Sequence, residues 1–146
     1  MANRIKPPVQ TNKIGIRHDN TGCFSDQYPW FSFKALTANS RYNLNTLSGK
    51  EAESTLRGLY QKLHELSGQP WCHWMGLRKA SGLETLEYHE IKFSAGVKLA
   101  KDTTIYVFRF DTYQGHNKGR ILGYKNSPCS VFHIIGFDVD FSAYDH

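Results

Sequence analysis

Three apolar runs near the end of the sequence constrain the fold of this chain more than any other feature. They read TTIYVFRF from Thr103, GRILGYK from Gly119 and VFHIIGFDVDF from Val131. Each is rich in β-branched and aromatic residues, and residues typical of turns lie between them. This pattern is typical of consecutive antiparallel strands, so the last third of the chain is predicted to form a β-sheet.

A pair of helices is predicted upstream of these strands. Ser48 and Glu51 have the spacing of a capping box at a helix start. Five apolar residues then recur at i, i+3, i+4, i+7 and i+10, on one helical face that we expect to pack on the sheet: Leu56, Leu59, Tyr60, Leu63 and Leu66. Gly68 suits the end of this helix and Pro70 the first turn of a second one. The short connection favours a helical hairpin.

Two further strands are predicted from alternating apolar and polar residues. One covers PWFSFKAL from Pro29, and the other covers LETLEYHEIKF from Leu83. The resulting order predicts a single α+β domain over residues 1–146, with a helical hairpin packed on a curved antiparallel sheet of about four to five strands. Residues 1–12 show no periodicity and are expected to be a flexible lead-in.

The composition favours a folded protein of the cytoplasm. The chain has 146 residues, of which 40% are hydrophobic and 14% aromatic, and this content argues against global disorder. Three widely spaced cysteines without a C-x-x-C motif fit reduced thiols, and they are Cys23, Cys72 and Cys129. The sequence shows neither a signal peptide nor an apolar run of about 20 residues, so we expect no membrane partner.

The polar residues of the predicted sheet are mostly basic or aromatic. The formal net charge is +5 and the pI is about 9.1. A small sheet that carries basic and aromatic side chains favours RNA or the ribosome as partner. Lys118 and Lys125 are the predicted phosphate-binding lysines of this surface.

The same residues are candidates for a metal-independent ribonuclease site. Cleavage through the 2′-hydroxyl needs a base for that hydroxyl, an acid for the leaving oxygen and a cation for the charged phosphorane. Arg109 and Arg120, on neighbouring strands, are candidates for the cation. The candidates for proton transfer are His133, Tyr144 and His146, since imidazole is the side chain best suited to this role near neutral pH.

Each candidate also has a purely structural interpretation. An arginine in an apolar strand is often the exposed half of an alternation, and a histidine such as His133 within an apolar run often packs in a core. Tyr144 and His146 also fit a frayed terminus. We therefore expect removal of residues 144–146 to leave the melting temperature almost unchanged.

Other chemistries find little support in the sequence. Asp138 and Asp140 are two residues apart, so a strand would direct both carboxylates to one side, but no third carboxylate lies close in sequence. Cys72, His73 and His64 lack a second ligand pair for zinc. No nucleophile elbow, phosphate-binding loop or dinucleotide-binding motif occurs. We therefore expect neither a metal nor a cofactor.

The order of elements and the residues of the last strands resemble the RelE/HigB-type toxins of bacterial toxin–antitoxin pairs. The resemblance lies in YVFRF, GRILGY and FHIIGFDVDFSAYDH. It implies a strand, a helical hairpin and a curved sheet, with basic residues on the sheet and a functional Tyr or His near the C-terminus. It also implies an endoribonuclease that acts on RNA or the ribosome and has an antitoxin protein as partner.

The chain is also similar to small proteins of bacteria and mobile elements that end in F-H-x-x-x-x-D-x-D-F-x-x-Y-D-H. Here that ending runs from Phe132 to His146. This second similarity implies no established function. It keeps open an alternative, in which the chain is a non-enzymatic protein of a phage or mobile element that binds and blocks a host protein or nucleic acid.

Overall fold

The computed structural model describes residues 27–77, 83–126 and 131–146. Within these ranges the strands and α-helices are β1 (Trp30–Ser32), α1 (Gly49–Ser67), α2 (Trp71–Met75), β2 (Leu83–Glu87), β3 (Thr104–Thr112), β4 (Gly115–Lys125) and β5 (Val131–Asp138). Some predicted features lie outside the described residues. They are the lead-in, Cys23 and Cys129.

The five strands form one sheet in the order β1-β5-β4-β3-β2, and the sheet is curved but not closed. The α+β prediction is confirmed, and β3, β4 and β5 follow the three apolar runs. Their pairings are antiparallel, as is that of β2 with β3. The short β1 instead runs parallel to β5, so the sheet is mixed.

Local hydrogen bonds end two predicted strands early. The run from Pro29 is a strand only over Trp30–Ser32, because a turn follows in which the Leu36 N–H donates to the Phe33 carbonyl. The run from Leu83 is a strand only as far as Glu87, because Tyr88–Glu90 forms a 3-10 turn whose first residues are held by a capping box between Glu87 and Glu90. The capping box predicted at Ser48 is wrong. Ser48 is the N-cap residue of α1, but its side chain makes no capping hydrogen bond.

Helix α1 contacts the sheet through part of the predicted face. Leu59 and Leu66 are buried and Leu63 packs beside them, as expected, but Leu56 and Tyr60 are exposed. The buried small residues Thr55 and Gly58 complete the contact. A Cβ atom added to Gly58 would lie 2.0 Å from the carbonyl oxygen of Asp111 in β3, so only glycine permits this close approach. The apolar stripe did not reveal this, because it contains no small residue.

The sheet buries side chains on both faces. The face that packs against α1 and α2, here called the helix face, carries Phe108, Ile121 and Phe132. The opposite face, here called the distal face, carries Val107 and Leu122, which pack under chain segments outside the sheet. Because side chains alternate along a strand, each residue of β4 is assigned to one face by its position. Neither helix in the described ranges is both long and apolar enough to cross a membrane.

Leu59→Ala should destabilise the fold by about 2–5 kcal/mol, since it removes a buried side chain and leaves a cavity between α1 and the sheet. Leu56→Ala is the matched control on the same helix. The Leu56 side chain is 52% exposed, against 7% for Leu59. Its loss should change the free energy of unfolding by no more than about 0.5 kcal/mol. Urea unfolding monitored by circular dichroism checks both values, and equal costs would contradict the observed face of α1.

Candidate functional site

Three charged residues lie in one row across the distal face. Arg109 of β3 is directly opposite Arg120 of β4, and Arg120 is directly opposite Asp138 of β5. Residues directly opposite each other on paired strands point to the same side of the sheet. The two predicted cationic candidates are therefore neighbours, with like charges side by side.

The Asp138 carboxylate folds the chain back over this row. One of its oxygens accepts hydrogen bonds from the backbone N–H groups of Asp140 and Ser142, each at 3.2 Å, and the other accepts one from Ala143 at 3.1 Å. The Ala143 carbonyl in turn accepts the backbone N–H of Lys92 at 2.8 Å. These bonds fix the path of residues 139–146, here called the C-terminal segment.

The C-terminal segment brings three ring side chains to the arginine row. The Phe141 ring covers the Arg120 guanidinium, with 4.2 Å from Cζ to the ring centroid. The His146 ring lies 4.4 Å from that of Tyr144 and 5.7 Å from that of Phe141. The Lys118 ammonium approaches the Phe141 ring to 6.0 Å. Together these residues form a group here called the C-terminal cluster: Arg109, Lys118, Arg120, Phe141, Tyr144 and His146.

Tyr144 is part of the core below this cluster. Its side chain is 3% exposed, and its hydroxyl donates a hydrogen bond to a carboxylate oxygen of Glu84 in β2 at 3.1 Å. The expectation that residues 144–146 carry little packing is therefore wrong. Burial raises the pKa of Tyr144 strongly, and the nearby Glu84 charge adds to this effect while Arg120 opposes it. The phenol therefore stays protonated at neutral pH, and its proton is directed to Glu84.

Two predicted site residues lie away from the cluster. His133 stacks on Tyr124 at 4.8 Å between ring centroids. Tyr124 is four residues along β4 from Arg120, or roughly 13 Å at the usual rise per residue. Lys125 lies on the helix face, where its ammonium is 5.6 Å from the Trp71 ring. The sheet therefore separates Lys125 from the arginine row.

Asp138 and Asp140 are engaged in structural contacts. Asp138 is fully buried and binds backbone N–H groups, while Asp140 forms an ion pair with Arg41 at 2.7 Å. Burial acts to raise the pKa of Asp140, but hydrogen bonds from Ser142 and Arg41 outweigh it and the pKa is lowered. Across the described parts of the chain, no group of three or more His, Cys, Asp or Glu side chains is placed to hold a metal ion.

A basic groove adjoins the C-terminal segment. It has a volume of about 600 Å³, and its lining includes His89, Lys92 and Lys101. Lys92 also forms an ion pair with Asp145, which joins the groove wall to the C-terminal segment. The groove therefore borders the C-terminal segment at Asp145, where the Lys92 charge is paired.

Sequence reasoning missed Phe141 and Glu84. Phe141 has a backbone φ of 60°, a left-handed conformation that the neighbouring residues in the sequence do not indicate. Glu84 binds a residue 60 positions away in sequence, and nothing local indicates that contact. The DxD spacing before Phe141 was the available signal, since Asp commonly stabilises turns through backbone N–H groups.

Comparisons of the chain with protein-family models, curated proteins and solved structures find no match.

The raised pKa of Tyr144 predicts a loss of stability in alkaline solution. In the unfolded chain the Tyr144 phenol ionises near pH 10, whereas in the folded protein it resists ionisation. The contribution of Tyr144 to the free energy of unfolding is therefore complete below about pH 10 and falls as the pH rises above it. Tyr144→Phe should therefore lose less melting temperature between pH 8 and pH 11 than the unmodified chain. Tyr60→Phe, at an exposed ring on α1, is the control and should lose as much melting temperature over this pH range as the unmodified chain. Equal losses in all three proteins would contradict the assignment.

Proposed function

We propose that this protein binds single-stranded RNA at the C-terminal cluster and cleaves it as a metal-independent endoribonuclease. The observation that carries the proposal is the pair of adjacent arginines on the distal face, bordered by the rings of Phe141 and His146. Adjacent guanidinium groups match the charge of a phosphate that gains negative charge in the transition state. Aromatic rings next to them suit the bases of a single strand.

The proposed chemistry is an attack of the RNA 2′-oxygen on the adjacent phosphorus. His146, whose side chain is exposed, takes the proton of the 2′-hydroxyl. The bond from phosphorus to the 5′-oxygen breaks, and that oxygen takes a proton from solvent, to which His146 later returns its own. Tyr144, whose hydroxyl is buried and donates to Glu84, positions the His146 ring, which lies 4.4 Å from its own. The products are a 2′,3′-cyclic phosphate and a 5′-hydroxyl. Arg109 and Arg120 offset the extra charge on the phosphorane.

We further propose that the biological setting is a toxin–antitoxin or mobile-element system. The resemblance of the three final strands to RelE/HigB-type toxins supports this setting, as does the positive net charge of +5. The target is then messenger RNA or RNA on the ribosome. An antitoxin of acidic character that covers the C-terminal cluster would suppress the activity, because it neutralises the same charges that bind phosphate.

A second candidate function is that of a non-enzymatic protein that binds and blocks a host partner. The observation that favours it is Trp30, which is 70% exposed on the edge strand β1. Tyr28 and Phe33 are also exposed on either side of it in sequence. Exposed aromatic residues of this kind are typical of protein interfaces.

His146→Ala and Arg109→Ala should each lower the rate of RNA cleavage by roughly 100-fold or more, because each removes a group that acts in the transition state. Cleavage of a labelled single strand is measured in the presence of EDTA, and the melting temperature is measured in parallel. His133→Ala is the matched control and should retain the rate. When the chain is expressed alone, the same two substitutions should relieve growth arrest. Relief by Trp30→Ala but not by His146→Ala would favour the blocking protein.

Lys118→Ala should weaken the binding of single-stranded RNA and lower the slope of log affinity against log salt by about 1, since one phosphate contact is lost. Lys125→Ala is the control on the same strand, because that lysine lies on the helix face. Its slope should match that of the unmodified chain. Fluorescence anisotropy between 50 and 300 mM salt measures both variants. A flat salt dependence of the unmodified chain would contradict the RNA proposal.

A further inference from the structure

Arg120 is a buried cation with free hydrogen-bond donors. Arg120 is only 6% exposed. Its Nε and Nη1 groups are buried and have no hydrogen-bond partner among the described residues. Buried N–H groups of a cation that make no hydrogen bond are unfavourable, because water no longer solvates them. Its surroundings therefore favour the entry of an anion.

Neither neighbouring carboxylate bonds the Nε or Nη1 group of Arg120. Asp138, directly opposite Arg120, has both carboxylate oxygens engaged by backbone N–H groups of the C-terminal segment. Glu84 accepts the Tyr144 hydroxyl instead. On its other side Arg120 faces Arg109, a second positive charge. The row thus holds two adjacent guanidinium groups and leaves donors unused.

Phe141 covers this guanidinium in a conformation that costs energy. Its ring lies 4.2 Å from Arg120 Cζ and is still 37% exposed to solvent. Its backbone φ of 60° is unfavourable for a side chain of this size. A cation–π contact stabilises an arginine less than the charge-assisted hydrogen bonds of a phosphate do. The ring is therefore a cover that a phosphate can displace.

We propose that Arg120 is a phosphate-binding subsite and that Phe141 leaves the guanidinium when a phosphodiester enters, then stacks on the adjoining unpaired base. This inference rests on the proposed function and names its substrate as a single strand, since a base held in a duplex offers no free face to the ring. Phe141 thus discriminates between paired and unpaired RNA, while Arg120 supplies the charge.

The test compares two ligands that need different parts of the subsite. Inorganic phosphate needs only the guanidinium, so Phe141→Ala should tighten its binding by roughly fivefold, because the competing cation–π contact is gone. A single-stranded oligonucleotide needs the stacking ring as well, so the same variant should weaken its binding by roughly tenfold. The unmodified chain should prefer the single strand over the corresponding duplex.

Binding is followed through the Nε–H resonance of Arg120 in ¹⁵N-labelled protein and by calorimetry. Arg120→Gln should lose phosphate binding. Phe33→Ala removes an exposed ring elsewhere in the sequence and is the matched control, so its affinities for phosphate and for the single strand should be unchanged. If Arg120→Gln does not fold, the Arg120 Nε–H resonance of the unmodified chain is the test, and added phosphate must shift that resonance. An unshifted resonance, or an unchanged phosphate affinity in Phe141→Ala, overturns the subsite. Phosphate binding with this pattern but no RNA cleavage overturns only the proposed enzymatic function.

Discussion

The C-terminal cluster depends on the carboxylate of Asp138. It is buried at the end of β5 and accepts three backbone hydrogen bonds from the residues that follow. Such bonds to an ionised acceptor are stronger than those between neutral groups, so they fix a turn that the apolar content of the segment alone would not specify. Phe141, Tyr144 and His146 owe their positions in the cluster to this turn. One side chain thereby links the sheet to the candidate site.

The two faces of the sheet differ in what they carry. On the helix face, large rings such as Phe108 and Phe132 pack against the helices, and close approach of α1 requires glycine at position 58. On the distal face the apolar core continues under the C-terminal segment but gives way to the charged row at one end. The charged side chains therefore rest on a rigid support, which suits a site that must hold its groups in fixed positions.

The sequence was sufficient to predict elements whose signal is local. The runs that became β3, β4 and β5 and the long helix α1 each repeat with the period of their own structure. The strand order also placed Arg109 and Arg120 on neighbouring strands, but the register that sets them directly opposite is seen only in the structure. The errors arose where contacts between residues distant in sequence determine which side chains are buried. Nothing near Leu56 indicates that Gly58 approaches Asp111, and nothing near Tyr144 indicates Glu84. His133 and Lys125 share the residue types of the cluster, but only the assembled sheet shows their distance from it.

The parallel pairing of β1 with β5 has a consequence for how the chain folds. Trp30 pairs with Val131, about 100 residues later, whereas β3, β4 and β5 follow one another through short connections. Closing so long a loop costs more chain entropy than forming a hairpin, so contacts of this kind slow folding and form late. The three final strands are therefore expected to form first, and β1 to dock later onto their edge. During synthesis this edge is absent until β5 has left the ribosome, so the aromatic residues around Trp30 spend most of that time without their sheet.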